Sequence, residues 1–405
     1  MKKTLAIILA LVMAFTMCAA AFADDTTVVW YTPNWDEPES REMAAEFEAA
    51  NPDVKVELVI TDWDTYKAKI TAALSGKNVP ELYTVLLTDV NPFAKMGLLE
   101  PVDVLGEAAG IDFADLIPAA MDIVSVDGAP YAIPFRYDGS GIYYNVDILK
   151  EAGYESFPAT WAEMLEMCAK LQEKGIVGFC WPFGNQANAV TRFVQQIYTY
   201  GGSVLTDDQK TCLLDTDEAK KALSAIKETL DLGYASSSSM EVDNTIMRDM
   251  FGNGQIAFNL SGPFDWETLM ADYPELNFAS ATIPGIDGTG VTTANGWCIV
   301  MGAGCDDKEA AARFLQYLTT PENQARLTDS FPASYVALDY EKFATDILKP
   351  FAEQLNTSRE EPSYDRWAEI EPIIYQYMQM ALSDSMSVEE ACVAMTNDIN
   401  TLLAY

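Results

Sequence analysis

Five of the eight tryptophans in this chain stand where a ring could meet a solute as readily as a core. Trp35 follows an apolar run and sits beside Pro33 and Asn34. Trp181 and Phe183 lie in the stretch Phe179-Cys180-Trp181-Pro182-Phe183-Gly184-Asn185-Gln186. Trp266 follows Ser261-Gly262-Pro263-Phe264-Asp265, Trp297 follows Asn295-Gly296, and Trp367 follows Tyr364-Asp365-Arg366. An indole beside Asn, Asp or Arg suits a sugar. The ring stacks on an apolar C–H face while the polar side chains bind hydroxyls. For any one tryptophan a packing role is equally well supported; five in such places point together to a sugar. Trp161, on a capped amphipathic segment, reads as core.

Other chemistries are poorly represented. Histidine is absent, which removes Ser-His-Asp and Cys-His catalysis, His-ligated zinc and haem ligation by His. No G-x-G-x-x-G, P-loop, G-x-S-x-G or H-E-x-x-H motif occurs. Gly252-Asn253-Gly254 reads as a turn. Asp62/Asp64 and Glu360/Glu361 are paired acids of the kind glycoside hydrolysis uses, but among 61 acidic residues such pairs arise by chance. Asp36, Asp62 and Asp64 lack the spacing of an EF-hand loop. The residues therefore assign no catalytic group, metal or cofactor. The formal net charge of −36 makes nucleic acid and anionic membrane surfaces poor partners.

These candidates need a scaffold. At about 150 residues per domain, 405 residues predict two or three domains. The hydrophobic share of 49% is enough to close a core. Thr27–Tyr31 reads as a strand, Pro38–Ala50 as a helix, and Val54–Ile60 as a second strand. A helix from Tyr66 and a strand over Leu82–Leu87 follow. This alternation predicts an α/β chain with right-handed crossovers and a largely parallel sheet. Thr160-Trp161-Ala162-Glu163 and Ser387-Val388-Glu389-Glu390 are capping boxes. Helices are also expected after Asp215 and Asp306, and at the C-terminus along Ile370, Ile374, Tyr377 and Ala381. Ser236–Ser239 reads as a surface loop.

The N-terminus reads as an export signal. Lys2 and Lys3 precede an apolar run from Leu5 to Phe15, too short to span a bilayer, and Ala21-Phe22-Ala23 is an A-x-A cleavage site. Met17 before Cys18 argues against a lipidation signal. Six cysteines remain after cleavage: Cys168, Cys180, Cys212, Cys298, Cys305 and Cys392. They read as buried thiols. Cys298 and Cys305 are the nearest pair, and export would permit a bridge between them.

Four stretches carry a resemblance to a known family. They are Tyr131–Asn145 with Asp147–Gly153; Pro158-Ala-Thr-Trp-Ala-Glu163; Gly254–Trp266; and Gly296-Trp-Cys-Ile-Val300 with Lys308–Gln324. In this order they resemble the extracellular solute-binding proteins of ABC importers, in the carbohydrate-binding family that includes maltose-binding protein. The resemblance covers essentially the whole chain. It implies a two-lobed periplasmic-binding-protein fold of class II type, with discontinuous lobes joined by three hinge crossovers. These are expected near Arg136–Asp138, Ala281–Pro284 and Thr328–Ser334. The implied division is a signal peptide over 1–23, a first lobe over 24–137 and 284–330, and a second lobe over 138–283 and 331–405.

By position in that family, Trp35 and Asp89 should line the interlobe cleft from the first lobe, with Arg136 and Asp138 at the first crossover. Trp181, Phe183 and Asn185 match a second-lobe ligand loop. Trp266, Asn295, Trp297, Tyr364, Arg366 and Trp367 complete the expected wall. Few cations among these residues favour neutral sugars over phosphorylated ligands, while Arg136 and Arg366 leave room for an acidic sugar. The family implies capture of a sugar or oligosaccharide by a monomer in the periplasm or at the cell surface, hinge closure, and delivery to the permease subunits of an ABC importer. Two alternatives stand beside this reading: the same fold binding a polyamine or peptide, and a secreted glycoside hydrolase. Exported protein is expected to begin at Asp24 and carry no lipid; mass spectrometry showing a diacylglycerol adduct on Cys18 would overturn that processing.

Overall fold

The computed structural model describes residues 26–62 and 65–404. The export signal, its cleavage site and Cys18 lie outside those residues, as does Asp64. The strands Thr26–Pro33, Val54–Thr61 and Leu82–Leu86 pair in parallel, with Thr26–Pro33 in the middle. Leu82–Leu86 is apolar along most of its length because it is covered on both faces, as central parallel strands are. Helix Glu37–Ala50 makes the first crossover. Pro38 in its first turn fits a helix start, and Glu37 and Glu39 complement the positive end of its dipole. Its Met43, Ala44 and Phe47 face the sheet.

The sheet then departs from the parallel expectation. The long strand Thr292–Gly302 lies antiparallel to Leu82–Leu86, with Trp297 opposite Leu86 and Met301 opposite Leu82. It is also antiparallel to Ala132–Gly139 and parallel to Ser358–Glu360. The sheet is mixed because the chain leaves it along Ala132–Gly139 and re-enters it from the opposite direction.

The core divides in two. One apolar cluster draws on Val28 to Tyr137 and on Ala294 to Ala333. The other draws on Ile142 to Ile283 and on Ile370 to Ile399. The second lobe is built on the antiparallel strands Phe278–Ala281, Gly141–Asn145 and Phe258–Ser261, with Gly141–Asn145 central. Its helices include Trp161–Glu173 and Val388–Leu403, both opened by complete capping boxes as the sequence predicts. A smaller apolar cluster packs Phe331, Phe343 and Phe351 with Tyr143, Met247 and Phe251.

Two crossings differ from expectation. Ile283 is still in the second core, Gly285 accepts a backbone hydrogen bond from Trp161, and Val291 packs on the same core. The chain therefore changes core between Val291 and Ala294, later than Ala281–Pro284. After Ala333 it packs on the smaller cluster, and Ser358–Glu360 then adds a strand to the first sheet before helix Trp367–Leu382 enters the second core. The segment beyond residue 331 is thus shared between lobes.

Ser236–Ser239 is not a plain surface loop. It includes a 3₁₀ turn over Ser237–Met240, and the fully buried Ser239 accepts a hydrogen bond from the backbone N–H of Trp181 at 3.0 Å. All six described cysteines are buried free thiols, Cys298 and Cys305 included. Burial pushes Cys168 and Cys392 up to about 12, so neither offers a thiolate at neutral pH.

Trp181 and Phe183 are 1% and 0% exposed, and their rings stack 5.3 Å apart within the second core. The Trp181 indole N–H donates to Thr229 Oγ1 at 2.9 Å. The two residues are core in this structure, contrary to the cleft role expected from their loop. The sequence could not show this because their polar neighbours belong to a tight chain passage whose partners lie about fifty residues away. Trp161 is half-buried, packed on the edge of the second core. Trp181→Ala is expected to destabilise the protein by about 3–5 kcal/mol through a cavity, read in urea melts, with ligand affinity unchanged in the folded fraction.

Candidate functional site

The parallel strands of the first lobe all deliver side chains at their carboxyl ends, the usual ligand edge of an α/β sheet. Thr26–Pro33 ends in a 3₁₀ turn over Asn34–Asp36 that carries Trp35. Val54–Thr61 leads to helix Tyr66–Leu74, whose first two residues are Tyr66 and Lys67. Leu82–Leu86 leads to helix Leu87–Lys95, with Thr88 and Asp89 in its first turn. Thr292–Gly302 runs the other way, so its early residues Asn295 and Trp297 reach the same edge.

Among the described residues, three aromatic rings meet there. Trp297 lies 5.2 Å from Trp35 and 5.5 Å from Tyr66, edge-on to each. Edge-to-face pairs of this kind add about 0.5–1.5 kcal/mol beyond area burial, so the trio is a stiff unit. Trp297 belongs to the first core, whereas Trp35 is 38% exposed and presents ring surface to solvent.

Beside the rings is a charged group. Asp89 is 2% exposed. Its Oδ2 accepts from the Tyr66 hydroxyl at 2.9 Å, and its Oδ1 is 2.6 Å from the Lys67 ammonium. Asp89 therefore serves as a brace, and Tyr66 and Lys67 are the groups it orients. Burial works to lower the Lys67 pKa, but the charge and hydrogen bond of Asp89, aided by Glu371 and Glu361, hold it above its usual value. Burial, then Asp89, pushes Tyr66 well up. Lys67 feels Glu371 from the second-lobe helix Trp367–Leu382. Burial raises the Glu371 pKa and Lys67 opposes that rise. Glu361 accepts hydrogen bonds from Asn295 on the first-lobe strand and from Thr191 on a second-lobe helix. Opposed charges from two lobes thus face one another at the aromatic edge.

A second corner surrounds Arg136. Its Nε donates to Asp138 Oδ2 at 2.5 Å and its Nη1 to Asp329 Oδ1 at 2.8 Å. The guanidinium lies 4.9 Å from the centre of the Phe264 ring, which belongs to the second-lobe loop. Two glycines make this corner feasible. A Cβ on Gly262 would fall 2.0 Å from the Phe264 ring, and one on Gly296 would fall 2.0 Å from the Arg136 carbonyl oxygen. Asp36 adds a third carboxylate. Burial, then Asp329, pushes its pKa well up, against the pull of Arg136. Burial also raises Asp329.

The structure brings together Trp35, Asp89, Asn295 and Trp297 in one group, and Arg136 with Asp138 in the other. It does not bring the rest. Asn185 caps helix Gln186–Thr199, accepting from the Asn188 N–H. Trp266 packs against the smaller apolar cluster, and Phe264, two residues earlier, makes the contact across to Arg136. Tyr364 and Trp367 pack on the second core, their rings 5.8 Å apart. Arg366 binds Glu369 and the Leu402 carbonyl. Sequence reading missed Tyr66, Lys67, Asp36, Asp329 and Glu371, and noted Glu361 only as one of a pair of acids. The available signal was positional: Asp36 and Tyr66-Lys67 follow parallel strands as Thr88-Asp89 does.

The profile of the bacterial extracellular solute-binding proteins matches residues 26–325. The chain belongs to that family. A Brucella abortus relative, named for binding without a stated ligand, is 26% identical over 356 residues, 84% of each chain. The mannitol-binding protein of Pseudomonas aeruginosa is 23% identical over 308 residues, 73% of this chain and 69% of that one. Among solved structures, the GacH receptor of Streptomyces glaucescens, determined unliganded and with acarbose, superposes with a TM-score of 0.84. It is 23% identical, and the match covers 94% of this chain and 99% of that one. The fold is that of the two-lobed binding proteins, and the family is one of extracellular binding proteins.

The Asp36 corner has a pH signature. An acid whose pKa rises on folding leaves the folded state holding the extra proton, so stability falls as pH climbs from about 4 through the raised value. Asp36→Asn removes that loss. The variant should gain on wild type progressively as pH rises above about 4 in urea melts; a constant difference would show that Asp36 does not titrate abnormally.

Proposed function

We propose that this solute-binding protein captures a sugar or short oligosaccharide between its lobes and presents it to the permease of an ABC importer. The observation that carries the reading is the exposed ring of Trp35, braced by Trp297 beside the Tyr66–Lys67–Asp89 group at the carboxyl ends of the parallel strands. A pyranose offers that site an apolar face for the indole and hydroxyls for Lys67, Glu371 and Asn295. Relatives support the class: one is named for mannitol, and a protein of the same fold has been solved with acarbose. Exported to the periplasm or cell surface, the protein acts as a monomer and holds the solute without altering it.

Cleft charge narrows the choice. Asp138, Asp329, Glu361 and Glu371 outnumber Lys67 and Arg136, and Arg136 is already held by two carboxylates. A phosphorylated solute would meet this excess of negative charge, whereas hydroxyl donors find acceptors. Closure follows from geometry: a ligand touching groups from both lobes favours the form in which both are near.

A disaccharide of about 23 heavy atoms at about 0.3 kcal/mol each gives a Kd on the order of ten micromolar. A thermal-shift panel of sugars, polyols, sugar phosphates and spermidine, followed by calorimetry, tests the class. A neutral sugar or polyol should raise the melting temperature, and Trp35→Ala should weaken it by about thirtyfold. Selective stabilisation by spermidine, or no sugar binding tighter than about a millimolar, would overturn the carbohydrate reading.

A further inference from the structure

We propose that Arg192, with the polar face of helix Gln186–Thr199, is the pivot of the hinge: a positioning residue that ties the passages at 139–141, 291–294 and 360–361 to the second lobe and so sets how far the cleft opens. The proposal rests on the reading of the protein as a closing two-lobed binder. The helix belongs to the second lobe, where Ala189, Val190, Phe193, Val194 and Ile197 are core. Its other side carries Thr191, Arg192, Gln195, Tyr198 and Thr199, a spacing that places all five on one helical face.

Each of these side chains meets the chain where it passes between lobes. Arg192 Nη1 donates to Ser140 Oγ at 2.7 Å, at the first crossing, and to Gln195 Oε1 at 3.2 Å. Its Nη2 donates to the Leu260 carbonyl at 3.0 Å, within the second-lobe sheet. Gln195 Nε2 continues to Thr292 Oγ1 at 3.4 Å, and that same oxygen accepts from the Ser140 N–H at 2.8 Å. The first and second crossings are thereby joined at one hydroxyl. Thr199 Oγ1 accepts from the Val291 N–H at 3.1 Å. Toward the third passage, Tyr198 donates to the Glu360 carbonyl at 3.2 Å and Thr191 donates to Glu361.

Arg192 is an unusual choice for a purely structural position. It is 4% exposed, and among the described residues its hydrogen-bond partners are neutral. Burial pushes it down to about 10, while Glu361 and Asp265 pull the other way, so it remains cationic at neutral pH. A buried cation without a contacting carboxylate is costly for folding alone. Its fork of donors does what an apolar side chain cannot: it holds a helix, a crossing and a sheet carbonyl at fixed angles. The face also reaches the cleft, since Glu361 binds Thr191 at one oxygen and Asn295 at the other.

Hydrogen exchange by mass spectrometry and small-angle scattering on ligand-free protein test the proposal. In Arg192→Met, backbone amides at 139–141 and 291–294 should exchange about tenfold faster. The distribution of interlobe distances should broaden, while helix Val388–Leu403 keeps wild-type protection. Arg192→Lys should fall between. Should Arg192→Met fold poorly, Gln195→Leu cuts the link to Thr292 and the bond to Arg192 but leaves Arg192 on Ser140 and Leu260, and should loosen 291–294 more than 139–141. Faster exchange spread through the second lobe with unchanged scattering, or unchanged exchange at both crossings, would overturn the pivot. Because these measurements use no ligand, a wild type that fails to contract with maltose or mannitol would count against the binding reading only.

Discussion

Everything in this protein hangs on the hydrogen-bond register of one strand, Thr292–Gly302. It is laid against Leu82–Leu86, Ala132–Gly139 and Ser358–Glu360, so one outgoing passage of the chain and two incoming passages, its own included, are fixed relative to each other along it. Because side chains on a strand alternate between faces, a slip of one residue would exchange Trp297 with its neighbours and dismantle the ring group. The bulge at Trp297/Cys298 and the missing side chain at Gly296 let this strand press close to Arg136. Trp297 and the Arg136 corner are therefore two results of a single pairing.

The charged groups follow a common pattern. Asp89, Asp138 and Asp329 each contact a cation, and each cation is held by the lobe that carries Trp35. Arg136 and Asp138 are buried on both sides, and breaking such a pair by removing one partner typically costs about 3–5 kcal/mol, so these two side chains are hard to displace. The Lys95–Asp365 contact, between two half-exposed groups, is of the kind that contributes at most about 1 kcal/mol. Rigid polar groups thus sit deep, and weak ones join the lobes at the surface. A binding protein that must open and shut needs that division.

Much of the architecture was legible because it depends on local pattern. The first three strands, their helices and both capping boxes follow from periodicity and from pairs such as Thr160/Glu163 and Ser387/Glu390. The mixed sheet was not legible, since the direction of Thr292–Gly302 is set by where the chain returns from. The site was only half visible. Trp35 and Trp297 were found by residue type, but type alone could not separate them from Trp181, whose indole N–H is satisfied by Thr229 inside the core. Lys67 escaped notice because a lysine in an acidic chain looks like an ordinary solvated charge until Asp89 is seen beneath it.

The order of core residues along the chain has a consequence for how the protein assembles. The first core draws on residues up to Tyr137 and then waits for Ala294 onward; the second begins at Ile142 and is completed by Cys392, Met395 and Ile399. Neither hydrophobic core can close before its later segment has been made. A growing polypeptide reaches the long strand Thr292–Gly302 of its first sheet after nearly three hundred residues, the edge strand Ser358–Glu360 later still, and the second-lobe helix Val388–Leu403 after that. Such long-range closure makes folding slow, because the entropy of large loops must be lost before the contacts that reward it form. The nascent molecule is accordingly an open chain through much of its synthesis, and the first core, complete at Ala333, can consolidate before the second, which waits for Ile399.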